Sequence, residues 1–206
     1  NILFGRNPRL KDEYNRLFNA IFSNPEDCKK IIRLLAKKHV GFTREEIAKE
    51  TGLPFGGGLT DTLNALAESD FILRYNPYDK KGKTTYYKLI DNFSLFWLKY
   101  VESYQANTNF MTDNMASNIM KSWRGVAFEE LCWQHIRQIK QALGITGVVS
   151  TISAWGVKGS DETEGAQIDL LIIRNDNVVN LCEMKFVGGA YTIDKDEEIK
   201  LRNRIE

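Results

Sequence analysis

Residues 167–185, which read QIDLLIIRNDNVVNLCEMK, predict a β-hairpin in the second half of the chain. Two apolar runs flank an Asn-Asp-Asn segment at 175–177, a pattern typical of two antiparallel strands joined by a tight turn. If that turn is centred on Asp176, the numbers of paired residues add up to 352. Asp169 on the first strand then lies opposite Glu183 on the second.

This register predicts a cluster of charged side chains at the open end of the hairpin. Side chains alternate between the two faces of a strand, so Glu183 and Lys185 share a face. Directly opposed Cβ atoms lie roughly 4.5–5.5 Å apart, which lets the carboxylates of Asp169 and Glu183 bind one cation. A register shift of one residue would separate them. Taken from spacing alone, the alternative is a solvated hairpin end that carries an ordinary Glu–Lys pair.

A long helix, about 120 to 143, precedes the strands, with a further strand expected at 148–155. Its helical periodicity predicts a buried stripe of Phe128, Leu131, Cys132, His135 and Ile139. Glu129 flanks this stripe beside Trp133 and Ile136, so we expect its carboxylate to reach inward. Glu130 falls with Gln134, Arg137 and Gln141, and we expect it to face solvent.

The first half of the chain has the pattern of a winged-helix domain. Helices are predicted at about 11–22, 25–38, 44–51 and 59–69, and strands at 71–75 and 84–89. The third helix has a capping box of Thr43 and Glu46 and ends at Gly52. Helices followed by a hairpin are the order of a winged helix. An aromatic-rich helix from 93 to about 105 then connects the two halves, and the last helix is predicted at 194–206.

Composition narrows the class of protein. Hydrophobic residues make up 43% and charged residues 27% of the 206 residues, as in ordinary globular proteins. No apolar run approaches the ~18 residues of a membrane span, and no signal-peptide pattern opens the chain. Cys28, Cys132 and Cys182 have neither metal-ligand nor disulfide spacing. These features favour a cytoplasmic protein without a membrane partner.

Charge is distributed unevenly along the chain. Residues 1–100 carry 17 Lys or Arg against 12 Asp or Glu, and residues 101–206 carry 11 against 15. A basic first half is compatible with a polyanionic partner, and an acidic second half with a divalent cation. The chain begins with Asn1 and ends within a charged helical pattern, so we expect it to be a fragment of a longer protein.

The motifs resemble a known nuclease superfamily. Gly125-x-x-x-Glu129 on a helix, Asp169 in a strand and Glu183-x-Lys185 in the next are similar to the PD-(D/E)XK nucleases. Nearly the whole chain resembles the C-terminal region of the bacterial and archaeal DEXX-box AAA+ ATPases. The segments that carry this resemblance are Leu17-Phe18, Leu34-Leu35-Ala36, Thr43-Arg44-Glu45-Glu46-Ile47-Ala48, Ile90-Asp91-x-Phe93-Ser94-Leu95-Phe96, Trp123-Arg124-Gly125-x-x-Phe128-Glu129, Gln167-Ile168-Asp169 and Cys182-Glu183-x-Lys185.

The resemblance implies an α+β or α/β fold in three parts. Residues 1–92 would form an N-terminal helix and winged helix, 93–118 a linker, and 119–206 a nuclease-like domain. The last would be a restriction-endonuclease-like α/β domain with a central mixed sheet flanked by helices, truncated at its C-terminus. Asp169 and Glu183 would bind Mg²⁺ or Mn²⁺, Lys185 would position water, and Glu129 would complete the site.

The implied partners are DNA and the protein's own upstream ATPase domain, and self-association is left open. Phosphates of DNA would contact the wing through Arg74, Lys80, Lys81 and Lys83. The second helix of the winged-helix pattern also carries several lysines and arginines. The expected recognition helix has no basic residue, so sequence-specific reading of bases is not expected.

Two features depart from these families. Ile168 stands where the nuclease motif often has proline, and the chain stops before a further strand of the superfamily's core. No phosphate-binding loop with a lysine is present, so ATP would bind only the upstream domain. The leading hypothesis is a Mg²⁺-dependent DNA nuclease-like domain under the control of an ATPase. The alternatives are a non-catalytic docking or regulatory module and a winged-helix DNA-binding regulator.

Overall fold

Helices and a small antiparallel sheet make up the first half of the chain. The computed structural model describes residues 2–4, 8–10, 12–78, 84–102, 109–157 and 165–204. In chain order, the first half contains α1 (Glu13–Ile21), α2 (Pro25–Leu35), β1 (Phe42–Thr43), α3 (Arg44–Thr51), α4 (Gly57–Glu68), β2 (Ile72–Tyr75) and β3 (Tyr86–Leu89). The helices and the hairpin follow one another in the predicted order, with the short strand β1 added before α3.

Helix α3 begins and ends at the signals found in the sequence. The Thr43 hydroxyl accepts a hydrogen bond from the Glu46 backbone N–H at 3.2 Å, and the Glu46 carboxylate accepts one from the Thr43 N–H at 2.7 Å. This reciprocal pair is the predicted capping box. Gly52 ends the helix in the left-handed conformation, with φ of 72°. The helix is thereby fixed with Ile47 fully buried against α2.

The sheet of the first half has the strand order β1-β3-β2, and all pairs are antiparallel. Strand β3 is buried on both of its faces. Tyr87 and Leu89 belong to the core formed with helices α1 to α4, whereas Tyr86 and the following Ile90 belong to a second core. Because β3 lies between two cores, the alternation expected for a half-buried strand is lost.

Glycine is required where β1 approaches β3. Gly41 has φ of 78°, and a Cβ at this position would lie 2.1 Å from the Tyr87 carbonyl oxygen. Any side chain would therefore clash with the backbone of β3 and strain its own backbone. This close contact sets β1 against the hairpin.

Aromatic side chains connect the two halves, as the sequence predicts. Helix α5 (Asn92–Phe96) begins at Asp91, whose carboxylate accepts hydrogen bonds from the backbone N–H groups at 93 and 94, and it continues into a π-helical turn (Trp97–Val101). Trp97 is buried in the first core. The Phe96 and Tyr100 rings lie 5.3 and 6.0 Å, centroid to centroid, from the ring of Trp123 in the second half.

The predicted long helix of the second half is two helices. After the short α6 (Phe110–Asn114) come α7 (Asn118–Gln134) and α8 (Ile136–Ala142), with His135 between them outside the helical region. The Leu131 carbonyl oxygen accepts the His135 backbone N–H at 3.1 Å and also lies 2.8 Å from the imidazole Nδ1, and α7 ends where the His135 backbone leaves the helical region at φ of −110° and ψ of 29°. Within the described ranges, no helix combines the length and the apolar character needed to cross a bilayer.

The second sheet has the register that the sequence predicts. Its strands are β4 (Ser150–Val157), β5 (Ala166–Arg174) and β6 (Val179–Cys182), in the order β4-β5-β6. The pairs of β5 with β6 run from Ile173 and Val179 to Leu170 and Cys182, so the numbers of paired residues add up to 352. Over the described strands every pair is antiparallel, so the expected mixed sheet is wrong there. Strand β6 ends at Cys182, so Glu183 and Lys185 lie just beyond the strand on which they were predicted.

A bulge interrupts β4 beside the first sheet. The pairing of β4 with β5 shifts between Ser153 and Trp155. The Ser153 hydroxyl donates a hydrogen bond to the Asn76 carbonyl oxygen at 2.7 Å, and the Tyr78 N–H donates one to the Ala154 carbonyl oxygen at 3.4 Å. The chain leaving β2 is thus bonded to β4.

The second core joins the two halves and corrects the predicted face of α7. Trp133 is buried, and its ring centroid lies 5.4 Å from that of Tyr75 on β2. Glu130, expected to face solvent, is fully buried, whereas Leu131 of the predicted buried stripe is 44% exposed. The exposed His135 departs from that stripe in the same way. The prediction assumed one buried face, but α7 packs against the first sheet as well as the second, which rotates the buried side.

Lys88 on β3 compensates the buried Glu130. Its ammonium donates hydrogen bonds to a Glu130 carboxylate oxygen at 2.7 Å and to the His39 carbonyl oxygen at 2.9 Å. Both side chains are nearly inaccessible to solvent. The second Glu130 oxygen, Oε2, is buried without a hydrogen-bond partner among the described residues. The carboxylate therefore depends on Lys88 for its neutralisation.

Candidate functional site

Asp169 and Glu183 lie one step beyond the last paired residues of β5 and β6, Leu170 and Cys182. An Asp169 carboxylate oxygen accepts a hydrogen bond from the Met184 backbone N–H at 3.0 Å. This bond continues the link between the two chain segments after the ladder has ended. The segment with Glu183 and Lys185 is thereby held beside Asp169.

Glu183 and Lys185 belong to a network of ion pairs with the C-terminal helix α9 (Lys195–Asn203). The Lys185 ammonium lies 2.7 Å from one Glu183 oxygen and 3.3 Å from a Glu197 oxygen. The Arg204 guanidinium binds the other Glu183 oxygen. Both oxygens of Glu183 are therefore paired with a cation, and α9 supplies one partner to each member of the Glu-x-Lys motif.

Glu129 is the third carboxyl group of the site. It lies on α7, and burial followed by the charge of Asp169 raises its pKa to about 7, against the opposing charges of Lys88 and His39. The electrostatic coupling of Glu129 to Asp169 agrees with the expectation that Glu129 reaches inward. We call Glu129, Asp169, Glu183 and Lys185 the acid–lysine cluster.

Unlike Glu183, the Asp169 and Glu129 carboxyl groups have no ion pair with a cation among the described residues. Burial raises the pKa of Asp169, the hydrogen bond from the Met184 N–H opposes this effect, and the charge of Glu183 adds to it. The pKa of Lys185 is also raised: burial favours its neutral form, but hydrogen bonds and charges from Glu183 and Glu197 outweigh burial. Lys185 is therefore a cation at neutral pH, suited to hold an anion rather than to accept a proton.

A cleft of about 470 Å³ opens beside the cluster. Glu183, Lys185 and Glu197 line one part of it, and its remaining lining is mainly apolar, with Phe128 of α7 and Tyr191 from the segment before α9. Polar groups that converge at one end of an otherwise apolar cleft are typical of a ligand site.

The described residues contain no preassembled group of three or more His, Cys, Asp or Glu side chains for a metal ion. The donor set nevertheless fits Mg²⁺, which usually takes one or two carboxylates and keeps several waters. Asp169 and Glu183 supply two carboxylates. Burial, with a further contribution from neighbouring carboxylates, raises the pKa values of Glu129 and Asp169, and a cation would favour their charged forms. Arg204 and Lys185 supply positive charge to Glu183 at the position where the metal ion would bind.

The expected phosphate contacts of the wing are described only in part. Arg74 is exposed, and its guanidinium donates a hydrogen bond to the Asn64 side chain at 2.9 Å. Lys80, Lys81 and Lys83 lie outside the described residues. Helix α4, which would be the recognition helix, offers no lysine or arginine.

Sequence reasoning missed Glu197 and Arg204. Both lie in or next to a helix rich in charges of both signs, where the pattern predicts a helix but does not indicate which charges face the sheet. The pairing of Lys88 with Glu130 was missed for a related reason: each lies on an element that packs on both sides.

Comparison of the chain with protein-family models, with curated proteins and with solved structures finds no match. The case for a function therefore depends on the residues and geometry of the cluster.

Proposed function

We propose that the second half of the chain is a divalent-metal-dependent nuclease-like domain that hydrolyses phosphodiester bonds in DNA. One observation carries the proposal: the β5–β6 register sets Asp169 next to Glu183, with the Lys185 ammonium 2.7 Å from Glu183. Two acids and a lysine beside a third acid from a helix are the side chains that metal-assisted hydrolysis of a phosphodiester requires. The resemblance to the PD-(D/E)XK nucleases supports the same reading.

Asp169 and Glu183 would hold Mg²⁺ or Mn²⁺, which when bound polarises the phosphodiester and neutralises its charge. Lys185, kept protonated by its acidic neighbours, would donate hydrogen bonds to a phosphate oxygen and stabilise the charge that develops there. Glu129, with a pKa raised to about 7, would accept a proton from the attacking water near neutral pH. The apolar lining of the cleft would limit access of bulk water.

The first half would act as a winged helix that positions DNA or docks the domain on an upstream ATPase. The order of α2, α3, α4 and the β2–β3 hairpin supports this assignment. Contacts through Arg74, Lys80, Lys81 and Lys83 would be to phosphates, because α4 lacks the side chains that read base edges. Binding would then have similar affinity for many sequences and be sensitive to salt.

Cleavage assays test the nuclease proposal. Supercoiled plasmid and branched DNA are incubated with Mg²⁺ or Mn²⁺, and wild type is compared with Glu183→Ala, Asp169→Asn and Lys185→Met. We expect loss of cleavage by about 100-fold or more in each variant and in EDTA. Glu198→Ala, an exposed carboxylate on α9 outside the cluster, is the control and keeps its activity. Cleavage by Glu183→Ala at the wild-type rate would contradict the proposal.

A second candidate function is that of a docking or regulatory module that keeps the nuclease-like fold without hydrolysis. The specific observation in its favour is that both oxygens of Glu183 are bound by Lys185 and Arg204. A domain of this kind would show no metal-dependent cleavage of any DNA. It would form a stable complex with the upstream ATPase domain or with a second copy, measured by light scattering after size-exclusion chromatography.

A further inference from the structure

A second cleft lies on the other side of α7, between the two halves of the chain. It has a volume of about 480 Å³ and is bounded by the end of α2, the α5–π-helical segment and the start of α7. Its apolar lining is Ala36, Leu95, Leu98, Trp123 and Val126, and its charged or titratable lining is Arg33, Lys37, His39, Lys99 and Glu102. We call it the basic cleft.

Positive charge is in excess in the basic cleft. Arg33 forms an ion pair with Glu102, the acid among the lining residues, so this carboxylate is already neutralised. Lys37 and Lys99 are exposed, and neither forms an ion pair with a carboxylate of the described part of the chain. The Lys99 Nζ lies 5.5 Å from the centroid of the Tyr100 ring. Two lysines thus line one cleft without a carboxylate counter-charge, which favours an anionic ligand.

An aromatic ring is held rigidly in the same cleft. Trp123 is half-buried, and its ring makes edge-to-face contacts with Phe96 and Tyr100 at centroid distances of 5.3 and 6.0 Å. These contacts fix the indole while part of it lines the cleft. A fixed aromatic ring beside lysines without a carboxylate partner is a combination that suits a single nucleic-acid strand, through base stacking and phosphate contacts.

The basic cleft and the acid–lysine cluster share one helix. Along α7, Trp123 precedes Glu129 by six residues, which corresponds to about 9 Å at 1.5 Å per residue. His39 lines the cleft, and its charge also acts on Glu129. Six residues also rotate the helix by about 600°, so the two side chains point roughly 120° apart and their separation exceeds the rise of about 9 Å. A strand stacked at about 3.4 Å per nucleotide would need at least three nucleotides to span it.

We propose that the basic cleft binds the nucleic-acid strand next to the bond that the acid–lysine cluster cleaves. Lys37 and Lys99 contact successive phosphates, and Trp123 stacks on a base. The position of the scissile bond rests on the proposed nuclease function, whereas binding of the strand in the cleft does not.

Binding of a fluorescein-labelled 12-nucleotide single-stranded DNA, followed by anisotropy in EDTA, tests the proposal without any cleavage. Lys37→Ala/Lys99→Ala is compared with wild type and with Lys49→Ala/Lys121→Ala, which removes two exposed lysines outside the cleft. We expect the cleft variant to bind at least tenfold more weakly at 100 mM salt. Its slope of log affinity against log salt falls by about 1.4, because each lost phosphate contact removes about 0.7. Circular dichroism verifies that the variants are folded.

Trp123→Leu provides an independent arm, with a loss of about fivefold or more from the missing stacking contact. Unchanged affinity and salt slope in the cleft variant would overturn the proposal, as would an equal loss in the control. A poly-glutamate peptide tests the other occupant. If wild type binds this peptide and the cleft variant does not, while both bind DNA equally, the occupant is an acidic protein segment and the proposal is also overturned.

A cleavage assay with Mg²⁺ on the same proteins and on Glu183→Ala separates the strand-binding proposal from the nuclease proposal. Weaker DNA binding by the cleft variant without cleavage by any protein refutes the nuclease and supports the cleft as a strand-binding site. Cleavage that depends on Glu183, with DNA binding unchanged in the cleft variant, supports the nuclease and overturns the cleft.

Discussion

Replacing Lys88 by methionine should destabilise the protein more than most single substitutions. Methionine retains most of the apolar length of lysine but removes the ammonium that lies 2.7 Å from Glu130. Glu130 would then be a fully buried carboxylate with one oxygen already unpartnered, and its nearest basic side chain would be the His39 imidazole, 3.8 Å away. Removing one member of a buried ion pair leaves the other charge buried without its partner and lowers the free energy of unfolding by about 3–5 kcal/mol.

Replacing the partner Glu130, and replacing both residues together, provide the controls for this expected loss of stability. Glu130→Met leaves the Lys88 ammonium with its hydrogen bond to the His39 carbonyl oxygen at 2.9 Å, so we expect a smaller loss, about 2–3 kcal/mol. Lys88→Met/Glu130→Met removes both charges and should be within about 1 kcal/mol of wild type, because apolar replacements of buried pairs are often neutral.

Urea denaturation of the four proteins measures these differences. A loss of 3 kcal/mol should also lower Tm by roughly 6–12 °C in a chain of this size. A Lys88→Met variant that loses less than about 1 kcal/mol would refute the view that the pair is buried and coupled. So would a double variant whose loss equals the sum of the two single losses, since independent sites add.

Three further predictions concern the site and the backbone. The folded-state pKa of Glu129, about 7, lies above its unfolded value, so wild-type stability should fall as pH rises from about 4.5 to 7. In urea titrations, Glu129→Gln should abolish this fall and be roughly 1–2 kcal/mol more stable than wild type at pH 8. Arg204→Ala should free a Glu183 oxygen and tighten Mg²⁺ binding about fivefold by calorimetry, equivalent to about 1 kcal/mol; weaker binding would contradict this role. In thermal unfolding, Gly41→Ala should destabilise the protein by about 3 kcal/mol or more, because its Cβ would clash with β3. Gly52→Ala, at a position with positive φ but open space, should destabilise it by about 1 kcal/mol. Equal losses would mean that the close contact at Gly41 is unimportant.

The hairpin register was the part of the fold that the sequence predicted best. An Asn-Asp-Asn turn between two apolar runs leaves little freedom, so the pairing of Leu170 with Cys182 and the nearness of Asp169 to Met184 follow from local residues. The capping box of α3 was predicted for the same reason: its hydrogen bonds join residues three apart.

Contacts between distant segments were not predictable in the same way. The burial of Glu130 depends on Lys88, 42 residues earlier, and periodicity on one helix carries no information about a second packing partner. Arg204 reaches Glu183 across 21 residues from a helix whose charges look alike in the sequence. The break at His135 was missed because it is a change in the backbone conformation of one residue, which hydrophobic periodicity does not show.

The bulge in β4 has a consequence for how this protein avoids self-assembly through its sheets. Strand edges with unpaired backbone groups invite another chain to add a strand. Here Ser153 and the Ala154 carbonyl oxygen are bonded to the chain leaving β2, and the bulge twists the border of the sheet away from a flat geometry. The segment leaving β2 and strand β4 thus protect each other from intermolecular β-pairing, and a variant that loosens this junction should aggregate before it unfolds.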